Sequence, residues 1–232
     1  MTYKIGAKFS FHLGSIEFKE NLNYGDVLTT SKGNKVYVLE PSHSELMINV
    51  KRRTNIIYPK EAGYIIAHTN IKSGSKVIET GTGSGAMTIL LSRVVGKEGK
   101  IYTFERRKEH LERAIENIKR AKADKNIEFY LLDPSIEGYP INNVDCAIID
   151  VPEPWTLVKA VYNALKNSGF WVSISPTIEQ VMQTVEELKN YNFLDIKTIE
   201  LLEREILVRK GKTRPNETMI GHIGYLTFAR KI

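Results

Sequence analysis

Val77-Ile78-Glu79-Thr80-Gly81-Thr82-Gly83-Ser84-Gly85-Ala86 ends a β-branched run in three alternating glycines, and Met87-Thr88-Ile89-Leu90-Leu91 continues it as an apolar helix. A strand, glycine turn and helix in this order leave backbone N–H groups bare at the carboxyl edge of a sheet, where α/β proteins hold nucleotide-like ligands. Glycine serves there because the chain turns tightly and a ligand must approach its backbone. The pattern is permissive. Gly81-x-Gly83-x-x-Ala86 also satisfies the dinucleotide fingerprint, and a turn that holds nothing is the plain alternative.

Outward from this turn the alternation continues. KIYTFE (100–105), IEFYLLD (127–133), VDCAIIDV (144–151) and GFWVSISP (169–176) read as strands, and EHLERAIENIKRA (109–121), WTLVKAVYNALK (155–166) and TIEQVMQTVEELKN (177–190) as helices. Leu111, Ala114, Ile115 and Ile118, then Ile178, Val181, Met182, Val185 and Leu188, recur at helical spacing. The alternation predicts an α/β fold with a doubly wound, mostly parallel sheet. After Asn192, FLDIKTIELLEREILVR (193–209) and HIGYLTFARK (222–231) flank the polar loop GKTRPNETMIG and predict a closing antiparallel pair. Upstream, a helix is expected from Pro59. FSFHLGSIEF, KVYVLEP and ELMINV (45–50), separated by NYGD and SKGN, read as a small β module. The expected organisation is that module at 1–55 and a ligand-binding domain at 56–232.

Of the 232 residues, 42% are hydrophobic and 26% charged, which excludes collagen-like, mucin-like and wholly disordered chains. Cys146 is the single cysteine, so an intrachain disulfide and a multi-cysteine metal site are excluded, and no metal is expected. Without a signal-like apolar start or a membrane-length apolar run, the protein is expected in the cytoplasm. Thirty-three Lys+Arg against 27 Asp+Glu give a net charge of +6. The excess lies at the flanks: 10 basic to 6 acidic residues in 1–75 and 7 to 3 in 201–232, against 16 to 18 between them. A polyanionic partner fits that distribution.

Three acids follow the glycine turn at strand ends. Glu105 stands where a carboxylate can take both hydroxyls of a ribose. Asp133 can accept from an adenine amino group, or serve the turn before Pro134. Neither distinguishes a dinucleotide from S-adenosylmethionine. Asp150 is delivered to the sheet edge by Asp145-Cys146-Ala147-Ile148-Ile149 and followed by Val151-Pro152-Glu153-Pro154-Trp155, whose prolines stiffen the loop. The plain alternative makes Asp150 a helix cap and Trp155 a core residue.

The D-x-P-x-P-W run at 150–155 and the E-x-G-x-G-S-G-A turn at 79–86 have two companions. These are Arg53-Thr54-Asn55-Ile56-Ile57-Tyr58-Pro59-Lys60-Glu61 and Arg214-Pro215-x-x-x-Met219-Ile220-Gly221-His222-x-Gly224-Tyr225. Over nearly the whole chain this set resembles the class I tRNA adenine-58 N1-methyltransferases. The resemblance implies a class I methyltransferase sheet, S-adenosylmethionine as cofactor and tRNA as partner. It further implies adenine N1 in the T-loop as target (position 58, with 57 a second candidate) and a homo-oligomer, a tetramer. It assigns Glu79, Gly81, Gly83, Ser84, Gly85, Ala86, Glu105, His110, Asp133 and Asp150 to the cofactor, and Asp150, Tyr58 and His222 to catalysis and the base pocket. Three residues depart from the family pattern: Asn55 replaces a glutamine, and Glu61 and Glu153 replace aspartates.

Methylation at N1 suits these residues, because the ring nitrogen has an in-plane lone pair and needs orientation and charge placement more than covalent activation. Asp150, accepting from the exocyclic amine, would stabilise the cationic product. The same acid could serve amino-group methylation. Cytosine C5 chemistry needs a thiolate at the base, and Cys146 lies inside a strand. Either Tyr58 or Trp155 could stack on the base. Lys51-Arg52-Arg53 and Arg209, Lys210, Lys212 and Arg214 could grip phosphates. The competing functions are a small-molecule or protein-carboxylate methyltransferase of the same fold, and a noncatalytic RNA-binding subunit.

Overall fold

The computed structural model describes residues 5–18, 21–52 and 55–232. Arg53 and Thr54, in the upstream motif and basic cluster, lie outside the described residues. The chain divides into two compact units, Met1–Glu45 and Leu46–Ile232. The division falls ahead of the boundary expected at 55, because Met47, Val50, Ile56 and Ile57 belong to the core of the larger unit.

The smaller unit holds two antiparallel ribbons, β1 (Lys8–Phe11) with β2 (Gly14–Glu17) and β3 (Val27–Thr29) with β4 (Lys35–Tyr37). The run ELMINV, expected as a strand, is helical instead: α1 spans His43–Ile48. The cause is a reciprocal cap. Ser42 Oγ accepts from the Glu45 amide at 3.2 Å, while the Glu45 carboxylate accepts from the Ser42 amide at 2.8 Å.

The larger unit begins with α2 (Pro59–His68), whose proline occupies the first turn, where its missing N–H costs nothing. There follow β5 (Lys76–Thr80), α3 (Ala86–Val95), β6 (Lys100–Glu105), α4 (Lys108–Arg120), β7 (Ile127–Leu131), α5 (Pro134–Glu137) and β8 (Val144–Ile149). A 3-10 turn (Pro154–Leu157), α6 (Val158–Ala164), β9 (Leu165–Ser175), α7 (Ile178–Asn190), β10 (Phe193–Ile199), β11 (Ile206–Leu207), β12 (Arg214–Pro215) and β13 (Tyr225–Lys231) complete it. Seven strands form one sheet in the order β10-β13-β9-β8-β5-β6-β7, and β13 alone runs against the rest. The expected closing pair is therefore β10 with β13. The end of the predicted first run separates into β11, which pairs with β12 as a small ribbon.

Alternate residues of the central strands feed two cores. Val77, Cys146 and Ile148 pack on the side of α2, α3 and α4, and Ile78, Ala147 and Ile149 on the side of α6 and α7. On α4, Leu111, Ala114 and Ile118 are buried as the spacing predicts. On α7 the buried stripe is Val181, Thr184 and Leu188, while Ile178 and Met182 are exposed. Thr184 fits the stripe because its hydroxyl donates to the Gln180 carbonyl at 2.7 Å. No helix among the described residues is long and apolar enough to cross a membrane.

Candidate functional site

The chain leaves β5 towards β6 and β7 on one side and leaves β8 towards β9 on the other, so the topological switch point lies beyond the carboxyl ends of β5 and β8. A cleft of about 310 Å³ opens there, walled by Gly81 and Gly83, Glu105, Asp133, the loop from Asp150 to Glu153, and the apolar side chains Ile56, Ile57, Ile174 and Ile223.

The glycines have different reasons to be glycine. At Gly81, φ is +93° and an added Cβ would stand 2.1 Å from the Asp150 carbonyl oxygen, so the backbones of the two strand ends touch. At Gly85, φ is +78° and a Cβ would meet Ile118 at 3.0 Å and Ala114 at 3.3 Å, a packing reason set by α4. Gly83 faces the ligand space, lining both the main cleft and a smaller one of about 160 Å³ bordered by Ser84, His110 and Arg113. Ser84 Oγ is buried there and has no hydrogen-bond partner among the described residues. Ala86 opens α3 within the core.

Glu79 lies beneath the turn rather than in the cleft wall. Its carboxylate accepts from Thr88 and Thr103 hydroxyls, both at 2.6 Å, and burial pushes its pKa up to about 7 in spite of them. Glu105 is 5% exposed and accepts from the Gly83 amide at 3.2 Å and the Arg107 amide at 3.0 Å. Asp133 serves the turn before Pro134 and also lines the cleft. It caps α5 through Ser135, whose amide and hydroxyl reach Oδ1 at 3.1 and 2.7 Å, and it still lines the cleft with Arg106 3.6 Å from Oδ2. Ser135, then Arg106, hold its pKa below the usual range.

Asp150 opens onto the cleft, and among the described residues its carboxylate has no hydrogen-bond partner. The surrounding walls and the Glu105 carboxylate push its pKa up to about 6. The helix-cap alternative does not hold: the 3-10 turn begins at Pro154 with Glu153 in the cap position. Trp155 is half-buried outside the cleft wall, which Thr156 and Leu157 complete. Cys146 is 1% exposed, and burial pushes its thiol pKa far up, which removes it from nucleophilic chemistry.

The two residues expected to complete the base pocket beside Asp150 are not brought into the cleft either. Tyr58 packs against the core with its hydroxyl 3.3 Å from Arg52 Nη1, and Ile56 and Ile57 form the wall in its place. His222 turns to the rim, with Nδ1 2.6 Å from Glu200 Oε1 and Nε2 2.9 Å from the Pro176 carbonyl. That carbonyl, then Glu200, raise its pKa. The neighbouring Ile223 enters the cleft. The departures Asn55 and Glu153 are wall residues, whereas Glu61 is buried with Oε1 on Lys60 at 2.9 Å.

One residue that sequence reasoning passed over ties this region together. Asn117, 2% exposed on α4, accepts from the Lys51 amide at 3.0 Å and donates to the Lys51 carbonyl and the Ser84 carbonyl, each at 2.9 Å. Its place in an apolar helical stripe is the only signal the sequence offers.

The strand order, the reversed last strand and the glycine turn at the switch point define a class I S-adenosylmethionine-dependent methyltransferase fold. A Thermotoga maritima structure described as an S-adenosylmethionine-dependent O-methyltransferase superposes with a TM-score of 0.91 at 34% identity, over 99% of this chain and 86% of that one. The Aquifex aeolicus tRNA (m1A58) methyltransferase TrmI superposes with a TM-score of 0.84 at 29% identity, over 98% and 90%. Residues 34–214 match the family of the tRNA methyltransferase complex GCD14 subunit, and the chain belongs to that family. Among its relatives is the Methanocaldococcus jannaschii tRNA (adenine(57)-N(1)/adenine(58)-N(1))-methyltransferase TrmI, 37% identical over 96% of this chain and 88% of that protein. Precorrin-modifying enzymes, at 15–16% identity, share the fold alone.

Proposed function

We propose that this protein transfers a methyl group from S-adenosylmethionine to N1 of an adenine in the T-loop of tRNA, at position 58. The observation that carries the reading is Asp150: a carboxylate without a protein partner among the described residues, at the switch point, touching the glycine turn through its own backbone. The cleft fits the cofactor on its own chemistry. Glu105 offers a carboxylate beside the turn, Asp133 a second acceptor in the same wall, and the orphaned Ser84 hydroxyl a polar end in the smaller cleft that His110 borders. When bound, S-adenosylmethionine supplies a methyl on a good leaving group. Glu105 would hold the ribose hydroxyls, beside the Gly83 amide that now donates to it at 3.2 Å. Ile56, Ile57, Ile174 and Ile223 exclude water from the transfer path. Asp150 accepts from the exocyclic amine of the base, an interaction that grows as N1 becomes cationic.

Arg209, Lys210 and Lys212 support an RNA partner. All are exposed on the turn joining β11 to β12, where the Lys212 amide closes on the Arg209 carbonyl at 2.9 Å. Leu202, Ile206 and Val208, exposed along the same excursion, support self-association, for which we propose a homotetramer in the cytoplasm. The M. jannaschii relative's name brings position 57 in as a second target. The T. maritima description favours a second reading, transfer to an oxygen. Single-turnover methylation of unmodified tRNA by the parent and by Asp150→Ala tests the proposal. The variant is expected to lose at least a hundredfold in rate while tRNA affinity stays within about threefold. A near-normal rate in the variant would remove Asp150 from the mechanism.

A further inference from the structure

The loop that presents Asp150 is held from outside the cleft. Gln180, at the third position of α7, uses the two ends of its amide differently. Oε1 accepts from the Thr177 amide at 3.1 Å and the Thr177 hydroxyl at 3.2 Å, while Thr177 Oγ1 accepts from the Gln180 amide at 3.3 Å, completing a capping box. Nε2 instead crosses to the Pro152 carbonyl at 2.7 Å. Pro152 lies two residues after Asp150. It has no N–H with which to anchor itself, so its carbonyl is the main-chain group through which this point of the loop can be tied. Glu153, next in line, is fixed from the other side, its carbonyl accepting from the Thr156 hydroxyl at 2.7 Å.

We propose that Gln180 is a positioning residue for methyl transfer: its amide locks the proline loop to the α7 cap and so fixes the direction in which Asp150 meets the substrate. The inference rests on the reading of Asp150 given above. A capping box alone is satisfied by glutamate as well as by glutamine. Only the bond to Pro152 requires a side-chain donor. The choice of glutamine therefore answers to the loop, not to the helix.

That difference makes the test clean. Gln180→Glu keeps the acceptor that the cap needs and turns the donor facing Pro152 into a repelling carboxylate. Thr177→Ala does the reverse, removing the cap hydroxyl and leaving the amide on Pro152. For Gln180→Glu we expect a Tm equal to or above the parent's, a KM for the cofactor within twofold, a kcat on tRNA lowered about five- to tenfold, and faster amide exchange in 150–157. For Thr177→Ala we expect a lower Tm with parental kcat and parental exchange in that segment. Parental kcat and exchange in Gln180→Glu, or an equal loss of kcat in Thr177→Ala, would overturn the proposal. A parent inactive on tRNA would instead overturn the functional reading, and the exchange measurement would still decide whether Gln180 holds the loop.

Discussion

Asp150 and Glu105 place two carboxylates on one cleft, and their roles separate by partner. Glu105 is occupied by two backbone amides and Asp150 by none among the described residues. Glu105→Ala should weaken S-adenosylmethionine binding by roughly 1.5–3 kcal/mol in calorimetry, since two ribose hydroxyls lose a charged acceptor; unchanged affinity would sink the ribose assignment. For Asp150 the pH dependence has a definite sign. The ionised form is the one that stabilises a cationic base, so kcat/KM should rise with pH through about 6, and Asp150→Asn should lose that rise. Its folded pKa lies above the unfolded value of 3.8, so its ionisation opposes folding increasingly between about pH 4 and 6 and in full above that. The ligand-free Asp150→Asn protein should accordingly melt higher than the parent at pH 7 and equally at pH 3, which thermal scans at the two pH values decide.

At the scale of elements, the glycine turn and α4 work as one support. Gly81→Ala forces a Cβ onto the Asp150 carbonyl, whereas Gly85→Ala presses on the buried Ile118 side chain at 3.0 Å and the Ala114 Cβ at 3.3 Å, with a strained φ in both. Gly81→Ala should therefore lose cofactor binding, and Gly85→Ala should lose stability first; binding and melting curves on the two variants separate these effects. Asn117→Ala removes three hydrogen bonds, two partly buried to the Lys51 backbone and one buried to Ser84, that join this segment to the glycine turn. Denaturant titration should register a loss of about 2–4 kcal/mol. These supports also mark how far the sequence was legible. The parallel strands read directly because both faces of β5 and β8 are buried and force apolar runs. Glu105, Asp133 and Asp150 were legible because strand ends place them at one edge. Asn117, Ile57 and Ile223 were not, because nothing local states that a helix face or a distant loop meets that edge. The strand expected at ELMINV gave way to a helix because Ser42 and Glu45 cap each other, a signal present in the sequence but outweighed there by the β-like apolar run.

Across the whole molecule, three of the seven basic residues of the C-terminal flank, Arg209, Lys210 and Lys212, lie on the turn between β11 and β12, while the middle of the sequence is slightly acidic. Replacing Arg209, Lys210 and Lys212 with alanine should weaken tRNA binding and lower the log–log salt slope by about 0.7 to 0.9 for each phosphate that is no longer neutralised, with cofactor affinity unchanged. Parental affinity and slope would make these residues a solvated face. Arg214, ion-paired to Glu217 at 2.8 Å, is left in place so that the loop keeps its form. The atom that receives the methyl group defines the activity. Unmodified tRNA incubated with the protein and isotopically labelled S-adenosylmethionine, digested and read by nucleoside mass spectrometry, should yield labelled 1-methyladenosine, mapped by fragment sequencing to the T-loop. Label on an amino nitrogen, an oxygen or another base, or no transfer to tRNA at all, would contradict it.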